Sequence, residues 1–203
     1  ITILKKAGLN VVEKPSITNS ELISEVGNYE VIIVRSRTKI TNEVILKAKN
    51  ARIIARVGVG LDNIDIGSAL QNNIEVVNSP ESAINAVAEL VMGLMLSLAR
   101  NLTLADSEMK KGIWMKKELY GTELRGKYLG IVGVGNIGRN LARIARSLRM
   151  NIIGYDTVPI KQDFIHEVGM ITTDFNTIVA SSDFISCHVP SSPETKHMFN
   201  EST

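Results

Sequence analysis

The stretch Tyr128-Leu129-Gly130-Ile131-Val132-Gly133-Val134-Gly135-Asn136-Ile137-Gly138 decides the fold of the second half of the chain. An apolar run typical of a buried strand leads directly into the pattern G-x-G-x-x-G, after which apolar residues recur at helical spacing. A strand, a glycine turn and a helix in this order are typical of a dinucleotide-binding fold. In that fold Gly133 makes the tight turn, Gly135 lets the backbone approach a pyrophosphate, and Gly138 lets helix and strand pack closely.

The start of the predicted helix is the expected anion site. Its first amides, at Asn136 and Ile137, would bind a pyrophosphate, helped by the positive end of the helix dipole. Asp156 ends the next predicted strand, 156 − 138 = 18 residues after Gly138, which is close to the ~20 residues expected for the acid that binds the adenine ribose. Its charge would repel a 2′-phosphate, and no arginine occurs at 157–160. NAD is therefore favoured over NADP.

Three alternatives stay open for these residues. A glycine-rich turn can form without any ligand, and an Asp at a strand end can be an ordinary turn residue. A methyltransferase that binds S-adenosylmethionine through the same kind of loop is the third.

Strand and helix patterns alternate on both sides of Pro80. Before it, short apolar runs occupy residues 10–12, 31–34, 52–57 and 75–77, and helical patterns occupy 21–26, 42–49 and 64–72. After it, strands are predicted at 128–132, 151–155 and 184–189, with a helix at 136–148 and a helical turn at 176–180. This alternation predicts an α/β fold with parallel sheets covered on both faces, in two domains, 1–79 and 80–203.

Composition narrows the class of protein. With 203 residues, 44% of them hydrophobic and 22% charged, the chain is globular and can bury a core without disulfides or metals. Cys187 is the only cysteine, which excludes a disulfide framework and a multi-cysteine zinc site and favours a reducing compartment such as the cytoplasm. A net charge of +2 without a basic block gives no reason to expect a nucleic-acid partner.

Residues 86–99 predict a helix that is apolar on nearly all sides. Only Glu89 and Ser97 are clearly polar, so we expect this helix to be buried on more than one face, between domains or in a homodimer interface. The run is shorter than the ~20 apolar residues of a membrane span, so no membrane partner is expected. The Lys-rich segment 106–117 that follows is expected to be a solvated surface.

Both ends of the sequence predict partial elements. Residues 1–7 have the pattern of the end of a helix closed by Gly8, and the first residue is not methionine. Residues 200–203 resemble the opening of a helix, with Asn200 and Ser202 as capping candidates. We therefore expect a fragment of a longer protein in which both domains are incomplete.

Four separate stretches resemble the D-isomer-specific 2-hydroxyacid dehydrogenases, most closely their phosphoglycerate dehydrogenase branch. They are residues 35–39; residues 55–65; Asn78-Ser79-Pro80 running on to Ala88-Glu89-Leu90; and the glycine loop followed by His188-Val189-Pro190 and Glu194-Thr195. The resemblance covers nearly the whole chain in order. It implies a Rossmann-like doubly wound parallel sheet that binds NAD at 80–203 and a smaller flavodoxin-like α/β substrate domain at 1–79, with the active site between them.

The resemblance also implies which residues bind substrate and cofactor. Arg35 would reach a substrate phosphate, and the turn Gly58-Val59-Gly60 would face the substrate carboxylate. Two glycines in three residues can present consecutive amides to an anion, in agreement with this role. Arg56 would add positive charge, although surface ion pairs are the alternative for both arginines. Further NAD contacts are implied at Val59, Val189, Pro190 and Thr195.

The catalytic residues are where the chain departs from the family. An Arg that orients the substrate carbonyl and a His paired with a Glu as general acid and base all lie beyond the strand that ends at Val189-Pro190. His166, His188 and His197 do not match the catalytic His. No catalytic residue is therefore assigned, and the Arg, Glu and His are expected beyond Thr203. Residues 1–203 alone are expected not to turn over substrate.

The expected activity is the NAD-dependent oxidation of a small anionic D-2-hydroxy acid, namely 3-phosphoglycerate to 3-phosphohydroxypyruvate, the entry to serine synthesis. One alternative is a glyoxylate or hydroxypyruvate reductase, which would not need Arg35 for a phosphate. The other is a non-catalytic, corepressor-like interaction protein in which NAD binding controls assembly. The near-neutral charge of the chain argues against this last alternative.

Overall fold

A computed structural model describes residues 1–203, which form two compact units, Ile1–Ser79 and Pro80–Thr203. Each unit has its own hydrophobic core. The division lies where the sequence placed the domain boundary, next to Pro80. The role predicted for the first unit, substrate binding, stays a prediction.

The first unit is a three-stranded parallel sheet with the strand order β1-β2-β3. Its elements are α1 (Thr2–Lys6), α2 (Asn19–Glu25), a 3-10 turn (Val26–Asn28), β1 (Val31–Val34), α3 (Asn42–Lys47), β2 (Ile53–Arg56), α4 (Ile66–Gln71) and β3 (Glu75–Asn78). Thr18 and Glu21 form a capping box at the start of α2, and the Asp65 carboxylate caps α4. These caps satisfy first-turn amides that would otherwise lack acceptors.

Only one face of this sheet is covered within the unit. Ile32, Val34 and Ile54 pack with residues from α2, α3 and α4, whereas Val31, Ile33 and Val77 on the other face are 38–48% exposed. The prediction of sheets covered on both faces is therefore wrong for this unit taken by itself. The strand predicted at 10–12 is also wrong, because no strand of the sheet pairs with that extended segment.

The second unit is a four-stranded parallel sheet with the strand order β6-β5-β4-β7. Its elements are α5 (Ile84–Ala99), α6 (Leu102–Lys110), β4 (Tyr128–Val132), α7 (Asn136–Ser147), β5 (Asn151–Tyr155), α8 (Gln162–Val168), β6 (Met170–Thr172), α9 (Phe175–Ser181) and β7 (Phe184–Cys187). This is the 3-2-1-4 order of a doubly wound sheet, so the predicted fold class is confirmed. Ligands of such sheets bind at the carboxyl ends of the strands where the order reverses, here between β4 and β7.

Helix α5 is buried on one face only. Ala88, Met92, Met95 and Ala99 enter the core of the unit, while Leu90, Leu94 and Leu98 form a stripe on the other side that is 55–73% exposed. Nothing in the unit supplies the second covered face that the sequence predicts. We call Leu90, Leu94 and Leu98 the α5 stripe.

None of the individual helices combines the length and the apolar composition of a membrane span. Helices α5 and α6 together meet the length and composition of a broken span, with a 65° bend between them. Core helices meet the same criteria, and α5 has four residues in the core of its unit.

Several local details refine the sequence predictions. Part of the Lys-rich segment forms α6. The connection between β5 and the predicted turn contains α8, the polar connecting helix expected around His166, and also β6, which the sequence did not predict. At the start of the chain α1 ends before Gly8, which has φ +81° as a helix-closing glycine does. Residues 200–203 form a turn in which the Asn200 side chain accepts from the amide and hydroxyl of Ser202, a bond that an N-cap residue also makes.

Substitution of Leu141 tests the core under the glycine loop. Leu141 is fully buried on α7, so Leu141→Ala is expected to lower the free energy of unfolding by ~2–5 kcal/mol. Leu148→Ala, at the half-exposed end of the same helix, serves as the control and should cost much less. Denaturant unfolding measures both, and equal losses would contradict the packing described here.

Candidate functional site

The glycine loop between β4 and α7 leaves no room for other side chains at two of its positions. Gly133 has φ +92°, and a Cβ atom there would lie 2.8 Å from the carbonyl carbon of His188. A Cβ atom at Gly138 would lie 2.3 Å from the carbonyl oxygen of Gly133. The tight turn and the close helix packing predicted for these two glycines are both present in the structure.

Gly135 differs from these two glycines. Its φ of −74° is open to any residue, and no atom outside its chain neighbours lies within 4 Å of the position that a Cβ would take. Neither backbone conformation nor packing within the protein therefore requires glycine here. The free space beside the loop is what close approach of a pyrophosphate to the backbone needs.

The start of α7 faces this free space with uncapped donors. Gly135 is the N-cap residue and supplies no side-chain acceptor. The amides of Asn136 and Ile137 come first in a helix of 12 residues and have no intrahelical acceptor. The loop and the helix start therefore fit a dinucleotide pyrophosphate.

Asp156 lies beside the loop at the end of β5, the neighbour of β4. Its Oδ2 accepts from the amide of Val134 at 2.7 Å, and its Oδ1 accepts from the amide of Val158 at 2.9 Å. Each carboxylate oxygen can accept more than one hydrogen bond, so both retain capacity for ribose hydroxyls. Asp156 thus organises the turn that follows β5 and also the glycine loop.

The segment after β7 forms the other side of the loop. The His188 amide donates to the carbonyl of Val132 at 2.7 Å, which brings the backbone of His188 and Val189 against Gly133. The Nε2 atom of His188 lies 2.9 Å from the Ser186 hydroxyl. Burial lowers the pKa of His188, so the imidazole is neutral at neutral pH and adds no charge to this side of the loop.

Pro190 and Thr195 are joined in one turn. The Thr195 hydroxyl donates to the carbonyl of Pro190 at 2.6 Å and accepts from the amide of Ser192 at 2.9 Å. Thr195 therefore shapes the turn after β7, and its predicted contact with NAD stays a prediction. No group of three or more His, Cys, Asp or Glu side chains in the structure could hold a metal ion.

In the first unit the predicted substrate residues come together at the carboxyl edge of the sheet. The register pairs Val34 with Arg56, so Arg35 and Val57 leave neighbouring strands at the same level. The Arg56 guanidinium lies against the glycine turn, where a Cβ at Gly58 would be 1.7 Å from its Nη1. Gly58 has φ +144°, a conformation that favours glycine.

The end of β3 holds this glycine turn. The Gly58 amide donates to the Ser79 hydroxyl at 2.9 Å, and the Asn78 side chain donates to the carbonyl of Val59 at 2.6 Å. The sequence predicts that the turn at 58–60 presents consecutive free amides. The Gly58 amide already has an acceptor, so fewer amides than predicted are free. The amides of Val59 and Gly60 make no backbone hydrogen bond and are the donors left for an anion.

Neither of the two arginines predicted to bind substrate is paired with an acidic residue of its unit. Arg35 is exposed, and neither Arg35 nor Arg56 forms an ion pair with a carboxylate there. The Nε atom of Arg56 is buried and has no hydrogen-bond partner. A buried donor without an acceptor is costly, which favours an anionic ligand over the surface ion pairs considered as the alternative.

Two residues that position these loops were missed in the sequence. The buried Asn63 donates from Nδ2 to the carbonyls of Arg35 at 2.9 Å and Thr38 at 2.6 Å, and so fixes the loop that carries Arg35. Arg139, directly after the third glycine, donates from Nε to the carbonyl of Val134 at 3.0 Å. An asparagine inside a motif or an arginine directly after one is a weak signal, since its partner depends on the tertiary fold.

Comparison with known proteins agrees with this geometry. Residues 92–203, more than half of the chain, match the family model described as D-isomer specific 2-hydroxyacid dehydrogenase, NAD binding domain. The chain belongs to the D-isomer-specific 2-hydroxyacid dehydrogenase family. The second unit is an NAD-binding domain of this family, and NAD is its cofactor.

Curated relatives in this dehydrogenase family carry more than one name. The chain is 44% identical over 195 residues to a D-3-phosphoglycerate dehydrogenase of Archaeoglobus fulgidus, covering 96% of this chain and 37% of the relative. It is also 44% identical over 180 residues to a hydroxypyruvate reductase of Thermotoga maritima, covering 89% of this chain and 58% of the relative. The chain thus spans well under two thirds of the length of these relatives.

Solved structures share the fold of both units. The D-lactate dehydrogenase of Escherichia coli matches with a TM-score of 0.83 and 26% identity, over 99% of this chain and 64% of that one. An acyclic imino acid reductase in complex with NADPH and D-Arg matches with a TM-score of 0.84 and 28% identity, over 96% of this chain and 62% of that one. A similar fold therefore also binds the phosphorylated cofactor, which makes the residue at position 156 a useful test.

Asp156→Ala is expected to weaken NAD binding by ~1–3 kcal/mol, because a charged acceptor is lost, and to reduce the preference for NAD over NADP. Calorimetric titration with both dinucleotides measures this. Asp163→Ala, on the exposed first turn of α8, removes an equal charge and is expected to leave both affinities unchanged. Equal binding of NAD and NADP by the unmutated protein would contradict the role given to Asp156.

Proposed function

We propose that the protein oxidises a phosphorylated D-2-hydroxy acid with NAD, and that its substrate is 3-phosphoglycerate, converted to 3-phosphohydroxypyruvate in serine biosynthesis. The observation that carries the proposal is a pair of arginines without acidic partners, Arg35 and Arg56, at the same sheet edge as the glycine turn at 58–60. A substrate with a phosphate and a carboxylate would satisfy such a set of donors. The relatives named D-3-phosphoglycerate dehydrogenase also support this substrate.

On the substrate side the residues of this chain bind and orient the hydroxy acid. Arg35 binds the phosphate through charge-assisted hydrogen bonds, which are stronger than neutral ones. The amides of Val59 and Gly60 bind the carboxylate, and the Arg56 guanidinium against Gly58 adds positive charge. Asn63 keeps the Arg35 loop in place.

On the cofactor side the chain supplies binding and orientation. NAD, when bound, accepts the hydride. The amides at Gly135, Asn136 and Ile137 bind its pyrophosphate, and Asp156 accepts from the adenine ribose. Val189, Pro190 and Thr195 border the bound dinucleotide largely through backbone.

Proton transfer is not assigned to any of the 203 residues. The Arg, Glu and His that the family uses have no counterpart at matching positions, and we propose that they follow Thr203. Assays of turnover therefore use the product of the complete reading frame. An active polypeptide of residues 1–203 alone would show that the catalytic groups have been misplaced.

A hydroxypyruvate or glyoxylate reductase is the second candidate. The hydroxypyruvate reductase of Thermotoga maritima is as similar in sequence as the phosphoglycerate dehydrogenase of Archaeoglobus fulgidus. The glycine turn and the cofactor loop would serve both reactions. The two differ in whether the substrate carries a phosphate for Arg35.

Arg35→Ala separates these candidates. For a phosphoglycerate dehydrogenase it should raise the KM for 3-phosphoglycerate by roughly ten- to a hundredfold, because a charge-assisted bond is lost, with a smaller effect on an unphosphorylated hydroxy acid. Steady-state kinetics on both substrates measure this. Arg52→Ala, at the opposite end of β2 and exposed, is the matched control. Equal effects of Arg35→Ala on both substrates would favour the reductase.

We further propose a homodimer that covers the α5 stripe. Three exposed leucines in line on one helix leave an apolar patch that monomers seldom expose, and Leu102 at the start of α6 is exposed as well. A second copy of this chain is a suitable partner because closed two-fold dimers are the commonest assembly. The proposed location is the cytoplasm, since the exposed Cys187 is unpaired.

Leu94→Asp is expected to dissociate this dimer, because it would bury an unpaired charge in the interface. Leu70→Asp, on the exposed side of α4, introduces the same charge away from the stripe and should leave the mass unchanged. Sedimentation or light scattering at micromolar concentration gives the mass of each. A monomeric, fully stable unmutated protein would contradict the proposal.

A further inference from the structure

The glycine loop is held by two side chains that bond the same residue. The amide of Val134 donates to Asp156 at 2.7 Å, and the carbonyl of Val134 accepts from the Nε of Arg139 at 3.0 Å. These bonds lie on opposite sides of one Cα atom, so they fix the two successive peptide planes on either side of it. We propose that Arg139 is a positioning residue for NAD, acting through the Val134 carbonyl on the amide of Gly135.

Peptide planarity links the Arg139 bond to the cofactor. In a trans peptide the carbonyl oxygen and the following N–H point in opposite directions, and the chain has no cis bond. A carbonyl of Val134 directed at Arg139 therefore directs the Gly135 amide away from it. The Gly135 amide makes no backbone hydrogen bond, so it remains a donor for an anion.

The preceding peptide plane follows the same rule. With the Val134 amide directed at Asp156, the carbonyl of Gly133 points the opposite way, towards Gly138, where a Cβ would lie 2.3 Å from that oxygen. Free rotation of either plane is thus blocked by a side-chain bond. The amides of the loop are therefore oriented before the dinucleotide binds, so binding does not have to order the loop.

Packing on α8 holds the Arg139 side chain in place. Its guanidinium carbon lies 5.6 Å from the centre of the Phe164 ring, and Phe164 is buried in the core of the unit. A cation over an aromatic face is attracted to it. This contact and the Nε–H bond to Val134, five residues earlier in the chain, together restrain the guanidinium of Arg139.

Arg143 provides a control one helical turn later. Its guanidinium carbon lies 5.2 Å from the same ring, but its side chain bonds Glu167 on α8 and not the loop. Loss of Arg143 removes a positive charge, a cation–π contact and an ion pair from the same surface. It leaves both bonds to Val134 intact.

The experiment measures dinucleotide binding by three variants of the product of the complete reading frame. Arg139→Ala is expected to weaken NAD binding by roughly three- to tenfold, as for loss of one hydrogen bond. Arg139→Lys should show the same loss, because lysine keeps the charge but places a methylene where arginine has Nε–H. Arg143→Ala should bind NAD as the unmutated protein does. Calorimetry gives NAD affinities, and competition against NAD gives the affinity for adenosine.

Adenosine separates positioning of the loop from a general structural effect. It lacks the pyrophosphate, so its affinity should be the same in all proteins. The inference fails if Arg139→Lys restores full NAD affinity, which would indicate attraction by charge alone, or if Arg143→Ala or adenosine shows an equal loss. The inference rests on NAD binding but not on the identity of the hydroxy acid. Failure of the unmutated protein to bind NAD would overturn the cofactor assignment as well.

Discussion

At Gly133 two backbone segments come so close that no side chain fits between them. The chain leaving β4 turns there with φ +92°, and the carbonyl carbon of His188 lies only 2.8 Å from the position that a Cβ would take. This approach is possible because β4 and β7 pair in parallel and the His188 amide extends the pairing to Val132. The rest of the cofactor site depends on it, since the same turn directs the chain into α7 with its first amides facing outward.

Both units have the same structural arrangement at the carboxyl edge of a parallel sheet. A glycine turn leaves a strand, and side chains from neighbouring elements bond its peptide groups, Asp156 and Arg139 in the second unit and Asn78 and Ser79 in the first. Bonds of this kind leave selected amides unpaired. Because those amides are already oriented, an anion gains its hydrogen bonds without ordering the loop.

Features of the site that depend on local chain geometry could be predicted from the sequence. The order of strand, glycine turn, helix and Asp156 follows from spacing along the chain, and the structure has it. The partners of Arg139 and Asn63 could not be predicted, because they depend on which carbonyl the fold brings within reach. The predicted strand at 10–12 is wrong for a related reason. A strand needs a neighbour to pair with, and a pattern of valines does not supply one.

The dimer proposed on the α5 stripe would link the stability of the chain to mass action. Helix α5 buries one face in its own unit and leaves three leucines uncovered on the other. With a second copy on that face, part of the free energy of unfolding comes from association, and a tenfold dilution removes about 1.4 kcal/mol of it. A melting temperature measured for such a protein is then a property of its concentration as well as of its sequence.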